Sequence, residues 1–311
     1  MNPRQKNSIT DRTLLIEGIH VPRFFYGTAW KEDETQRLTE LALQQGFRGI
    51  DTANQRRHYH EAAVGHAIRS ALPSPLEGEG PGVRGLTEAE GMEVRALTRD
   101  DLFLQTKFTS RQGQDHRLPY DPDAPVPIQV EQSFAGSLQH LGVTRIDSYV
   151  LHGPTQRRGL APADWDAWQA MEALHDSGRV RLLGISNVSF EQLQLLCQRA
   201  RVRPRFVQNR CYAVTGWDRQ IREFCASNRL IYQGFSLLTA NRELMLRPEL
   251  IQIAERHGQT TSQIIFRFAL DVGMIPLTGT TNPAHMKADL EVFDFRLAPE
   301  EIERIEHLGA G

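Results

Sequence analysis

Short apolar runs alternate along this chain with segments of helical period, and that alternation restricts the fold more than any other feature. The runs are rich in β-branched and aromatic residues. They fall at Arg23–Gly27, Phe47–Ile50, Asp101–Thr106, Ile146–Leu151, Val180–Ile185, Arg205–Gln208, Leu230–Phe235 and Gly273–Leu277. Between them apolar residues recur three or four apart. Val130, Phe134, Leu138 and Leu141 are stopped by Gly142, and Trp168, Met171 and Leu174 or His175 are stopped by Gly178. Ser189 with Gln192 reads as a capping box opening a helix that turns Leu193, Leu196 and Cys197 inward. Repeated strand–helix–strand units predict a parallel sheet with helices outside. Strands buried on both faces read as continuous apolar runs, as YVL and LLGI do. Eight such units in 311 residues fit an α/β fold of the closed (β/α)8 TIM-barrel type, here one domain over residues 1–311. An open dinucleotide-binding sheet would need a GxGxxG turn after its first strand, and none is there. Only the Gly-, Pro- and Glu-rich stretch 73–91 breaks the rhythm, and it is expected to be a flexible surface insertion between the second helix and third strand.

Composition removes several function classes. Basic and acidic residues, 36 against 38, give a net charge of −2, so no overall field draws nucleic acid or an anionic membrane. The polar stretch Met1 to Arg12 lacks a signal-peptide core, and no apolar run approaches the ~20 residues of a membrane helix. Cys197, Cys211 and Cys225 are odd in number and far apart, which argues against a disulfide framework or zinc site and for a reducing, cytoplasmic setting. No long heptad or apolar stripe points to a partner chain.

In a barrel the working face lies at the carboxyl ends of the strands. Those ends are polar here: Asp51, Lys107 and His152 close strands two to four, Ser186 and Asn187 strand five, Gln208 and Asn209 strand six. A carboxylate, an ammonium and an imidazole converging on one mouth must pair with something, which solvation alone does not explain. Carbonyl reduction requires such a set. After hydride reaches the carbon, the oxygen needs a proton, and a tyrosine serves if an ammonium moves its pKa from ~10 toward the working range. Tyr59, on the loop after Asp51, is the expected acid. Lys107 is expected to hydrogen-bond its hydroxyl, Asp51 to hold Lys107, and His152 to orient the carbonyl oxygen.

The segments IDTA (50–53), VG (64–65), QTKF (105–108), YVLHGP (149–154), GISN (184–187), FVQN (206–209) and GTTNPAH (279–285) resemble, in order, the aldo-keto reductase superfamily. The resemblance runs from Gly27 to about Phe295. It implies a (β/α)8 barrel, NADPH or less often NADH as cofactor, and a small-molecule carbonyl substrate. It puts the catalytic quartet on Asp51, Tyr59, Lys107 and His152. Ser186, Asn187 and Gln208 fall where that family grips the nicotinamide carboxamide, and Phe235 where a ring stacks on it. Ser236 and Leu238 fall beside the pyrophosphate, while Gly279, Thr280 and Thr281 begin the loop for the adenosine phosphate.

Two departures stand out. The family's tyrosine usually lies five residues after the aspartate, where this chain has Arg56; Tyr59 lies eight after it, and Glu61 and Gly65 restart the helix near the usual register. His58 and His60 flank that tyrosine, and their spacing fits loop histidines rather than a metal site. Beyond strand eight, only His285 and Lys287 offer positive charge to a ribose phosphate, and Asp289 would repel one if it pointed there. No long loop follows the last amphipathic helix, Pro299–Leu308, so an open pocket is expected. Two other readings use the same residues: a catalytically weak cofactor-sensing or regulatory barrel, and a lyase with Lys107 as Schiff-base nucleophile.

Overall fold

The computed structural model describes residues 12–72 and 97–309, so the expected insertion at 73–91 lies outside the described residues. Eight parallel strands close into a barrel: β3 (Phe25–Gly27), β4 (Gly49–Asp51), β5 (Phe103–Phe108), β6 (Ile146–Leu151), β7 (Val180–Ser186), β8 (Phe206–Arg210), β9 (Ile231–Phe235) and β10 (Ile275–Thr278). Closure is made by β10 against β3, with Leu277 opposite Phe25 and Thr278 opposite Tyr26. This is the predicted (β/α)8 architecture. Around it run α1 (Thr35–Gln45), α2 (Glu61–Ala71), α3 (Val126–Leu141), α4 (Pro162–Asp176), α5 (Phe190–Arg199), α6 (Arg219–Ser227), α7 (Pro248–His257), α8 (Thr261–Asp271), α9 (Pro283–Glu291) and α10 (Pro299–His307).

Local signals set the helix ends. Ser189 accepts from the Gln192 amide at 3.2 Å while the Gln192 side chain accepts from Ser189 at 3.0 Å, the predicted capping box. Gly142 ends α3 in the left-handed region at φ 68°, which a residue with a Cβ enters at a cost. Several strands extend past their predicted ends, to Asp51, Phe108, Ser186, Arg210 and Thr278. An apolarity reading stops too early at four of them, because Asp51, Ser186, Arg210 and Thr278 keep their backbone in the ladder while facing the barrel mouth.

An antiparallel hairpin, β1 (Thr13–Ile16) and β2 (Ile19–Pro22), precedes the barrel and was not foreseen. Glu17 and Gly18 both have positive φ, 50° and 78°, the backbone of a two-residue turn. Ile19 and Val21 pack with Phe25, Phe103, Phe206 and Ile275, each the first residue of its strand, so the hairpin closes the amino end of the barrel. The opposite end stays open, and the polar strand ends collect there.

Candidate active site

Lys107, on β5, is fully buried, an expensive position for an ammonium unless it is paired. Its Nζ donates to Asp51 Oδ2 at 2.6 Å and to the Thr52 carbonyl at 2.9 Å. Asp51 ends β4, the neighbouring strand, so strand order alone makes this pair. Its other oxygen, Oδ1, accepts from Gln105 at 2.8 Å and Gln208 at 3.0 Å, and both amides also donate to Gln233 Oε1. This layer of glutamines beneath the ion pair was not anticipated. The signal was present: Gln105 and Gln233 interrupt the apolar runs FLQTKF and IYQGF at positions buried inside the barrel.

The longer loop after β4 still delivers Tyr59 to this pair. The Tyr59 amide donates to Gln55 O at 3.0 Å, and Gln55 Nε2 donates to Gly113 O at 2.6 Å. Two residues on, the buried Glu61 accepts from Thr106, the neighbour of Lys107, and pairs with His140 Nδ1 at 3.0 Å. Glu61 thus fixes α2 against β5 and α3, and the chain enters that helix with Tyr59 at the mouth. Lys107 Nζ stands 5.1 Å from the Tyr59 ring centroid, and the His152 ring lies edge-on to the phenol ring at 6.0 Å.

Electrostatics sort the three groups. Burial pushes the Tyr59 phenol up; the Lys107 ammonium pulls it back by its charge and by side-chain hydrogen bonding, and Asp51 opposes that pull. The net direction is upward, which corrects the expectation of a value moved toward neutrality: desolvation by burial outweighs the ammonium. Burial alone would lower Lys107, but Asp51, with Tyr59 adding, overrides it and the ammonium is held above its ordinary value. His152 is pushed down to about 3 by burial, then by Lys107 and His58, and is therefore a neutral imidazole. Its Nδ1 lies 2.6 Å from Thr109 Oγ1. When that hydroxyl donates to Nδ1, the ring proton is carried by Nε2.

Tyr59, Asp51 and His152 line a cleft of about 860 Å³ that extends across the barrel mouth. Ser186, Asn187, Gln208, Phe235, Ser236, Leu238, Gly279 and Thr280 line the same cleft. Ser186 Oγ donates to Gln208 O at 2.6 Å, Asn187 Nδ2 donates to His152 O at 2.8 Å, and Gln208 Nε2 is committed to Asp51 and Gln233. With those donors spent, the Asn187 and Gln208 carbonyl oxygens are the acceptors left for an amide –NH2. Asn187 and Ser236 sit at φ 51° and 57°, turning the backbone at the cleft wall. At the far end a Cβ on Gly279 would come 3.4 Å from Lys31 Nζ, which donates to the Gly279 carbonyl across the cleft. Aromatic ring, amide acceptors and a cation at a glycine-lined rim together fit a nicotinamide dinucleotide.

The lining ends at Thr280. Thr281 and His285 are exposed, at the entry to α9 and in its first turn. Asp289 departs from its expected place: it is buried beneath α9, burial pushes its carboxyl up to about 7 against an opposing bond from Thr278, and Oδ2 has no partner. It therefore faces no bound phosphate, because its position in the helix turns it to the core. His58 stacks on Trp30 with ring centroids 3.9 Å apart, and His60 precedes α2. Trp30, Lys31, Arg57, Ser110, Gln112 and Arg210 also line the cleft and were missed, since loops after strands carry no periodicity that marks which side chains turn inward.

Comparison with known proteins agrees with this geometry. A model of the Aldo/keto reductase family matches residues 23–310. An aldo-keto reductase of Mycolicibacterium smegmatis is 28% identical over 306 residues, covering 97% of this chain and 95% of that protein. The uncharacterized oxidoreductase YtbE of Bacillus subtilis is 27% identical, covering 96% and 92%, and prostaglandin F synthase 1 of Bos taurus is 26% identical, covering 96% and 91%. Among solved structures, an aldo/keto reductase from Brucella melitensis superposes with a TM-score of 0.75 at 25% identity, over 95% of this chain and 98% of that one. The chain belongs to the Aldo/keto reductase family.

Proposed function

We propose that this protein reduces small aldehydes or ketones to alcohols with NADPH, NADH being the second choice, and that Tyr59 is the proton donor. The observation that carries the reading is the buried Asp51–Lys107 pair beside the Tyr59 phenol and a neutral His152, under a cleft that fits a dinucleotide. When bound, the reduced nicotinamide supplies the hydride. His152 Nε2–H donates to the carbonyl oxygen and, being neutral, orients it without taking its charge. Tyr59 then gives up its proton as that oxygen becomes basic, and Lys107, fixed by Asp51, stabilises the phenolate left behind. Ser186, Asn187 and Gln208 hold the carboxamide and Phe235 stacks on the ring. Ser236 and Leu238 border the pyrophosphate, and Gly279, Thr280, Thr281 and His285 receive the adenosine phosphate at the start of α9. The three cysteines are free and buried, in keeping with a reducing, cytoplasmic setting. A Schiff-base role for Lys107 is disfavoured, because a nucleophilic amine must be neutral and this one is held charged.

The test pairs fluorescence titration with NADPH and NADH against turnover of 4-nitrobenzaldehyde. Saturable binding, tighter for NADPH, with Tyr59→Phe lowering kcat by about 10²–10⁴ at unchanged dinucleotide affinity, is the expected result. Binding without turnover across a broad carbonyl panel would favour a sensing role instead.

A further inference from the structure

The three residues by which the loop after β4 is long, relative to the spacing implied by resemblance, bring Arg57 into the cleft wall. Hydrogen bonds hold the backbone of this loop. His58 O accepts from the Trp30 amide at 2.7 Å, Arg117 donates to Arg56 O at 2.9 Å, and Arg56 donates to Tyr59 O at 3.3 Å. None of these bonds uses the Arg57 side chain, and among the described residues its guanidinium has no ion pair or hydrogen bond. The nearby carboxylate of Asp115 is taken by Arg117. Asp51 is the only carboxylate among the described residues lining the cleft, and Lys107 already neutralises it. Of the lining cations, Lys31 is bound to Gly279 O, at the end that fits the dinucleotide, and Arg210 lies over the Tyr212 ring. Arg57 instead neighbours His58 and Tyr59, with Trp30 stacked on His58 as an apolar wall. An exposed guanidinium with no ion pair among the described residues, not even to the Glu32 and Asp33 that share a neighbouring pocket with it, on a hydrogen-bonded loop beside the reacting groups, is a ready site for a planar anion.

We propose that Arg57 is a specificity residue that recognises a carboxylate, so that the preferred substrates are aldehydes or ketones carrying a carboxylate away from the reacting carbon. This rests on the carbonyl-reducing reading of the same cleft. Arg57 and the Trp30–His58 wall then act as one subsite: the guanidinium takes the carboxylate as the ring stack covers the carbon chain.

The test compares acids with neutral partners of similar carbon skeleton, 4-carboxybenzaldehyde against methyl 4-formylbenzoate and 4-oxobutanoate against its methyl ester. In the native protein the acid is expected to have a kcat/KM about tenfold above its neutral partner, mostly through KM, with the ratio shrinking as salt shortens the Debye length. Arg57→Gln should bring the ratio near one and Arg57→Lys should restore part of it; a purely structural loss would lower both substrates and leave the ratio standing. Calorimetric binding of 4-(hydroxymethyl)benzoate and its methyl ester to the NADP+-loaded protein gives the same comparison without turnover. A ratio near one in the native protein, or one that survives Arg57→Gln, overturns the proposal. Turnover of neutral carbonyls without charge selectivity removes the anion site and leaves the reductase. Charge-selective binding without turnover does the reverse.

Discussion

At the scale of single residues, titration separates roles that sequence alone leaves together. His152 sits in the folded protein at about 3 against an ordinary 6.5, so the unfolded chain takes up a proton that the folded one refuses. The stability it contributes is complete above pH 6.5 and is lost as pH falls toward 3. Unfolding midpoints between pH 7 and 5 should therefore fall less steeply in His152→Gln than in the native protein. Asp289 has the opposite sign: its carboxyl is raised from 3.8 to about 7, so stability present at pH 4 is lost as pH rises through 7. Asp289→Asn should raise the thermal midpoint at pH 8 by at least about 2 °C and leave it nearly unchanged at pH 4. Equal shifts at both values would contradict the burial argument. The cluster of Asp51, Lys107 and His152 was legible because three chemically unlike polar residues end apolar runs, and Tyr59 because it lies on the loop after Asp51. The inward turn of Asp289 was not, because α9 carries too little amphipathic signal to orient it: of its nine residues only Met286 and Asp289 are buried.

At the scale of elements, α2 is what makes an irregular loop compatible with a fixed site. Glu61 ties its first turn to β5 and α3, and Gly65 allows α3 to pass close by: a Cβ there would lie 1.9 Å from the His140 carbonyl oxygen. That contact is backbone, so neither side can rotate away, and Gly65→Ala must push the helices apart. The expected cost is about 1–3 kcal/mol or more in denaturant unfolding. A fall in kcat should accompany it, since Tyr59 lies two residues before α2 begins at Glu61. Unchanged stability would show that the helices do not meet there. The barrel strands were readable because each is buried on both faces. The β1–β2 hairpin was not: Thr13–Ile16 is only partly buried, and Glu-Gly is a weaker turn signature than Asn-Gly or Asp-Gly.

At the scale of the whole molecule, the stretch 73–91 that breaks the sequence rhythm is proposed to be a surface insertion on which the barrel does not depend. Leu72 and Leu97, the described residues that flank it, both pack against the main core. Replacing residues 74–95 by a Gly/Ser linker of about eight residues should keep carbonyl turnover and leave stability level or up to about 1 kcal/mol higher, the loop-closure gain. Loss of cooperative unfolding would show that the stretch belongs to the core. The cysteines report the same integrity: burial pushes Cys197 to about 11 and Cys211 and Cys225 to about 12. All three should resist a thiol reagent until the chain unfolds, then react together. The claim on which the enzyme stands is that the Tyr59 phenol and the Lys107 ammonium work as one unit, and a double-mutant cycle on kcat with Tyr59→Phe and Lys107→Met tests it most directly. Each single change should remove most of the turnover, and the double variant should fall little further. Losses that simply multiply, or full turnover in Tyr59→Phe, would contradict it.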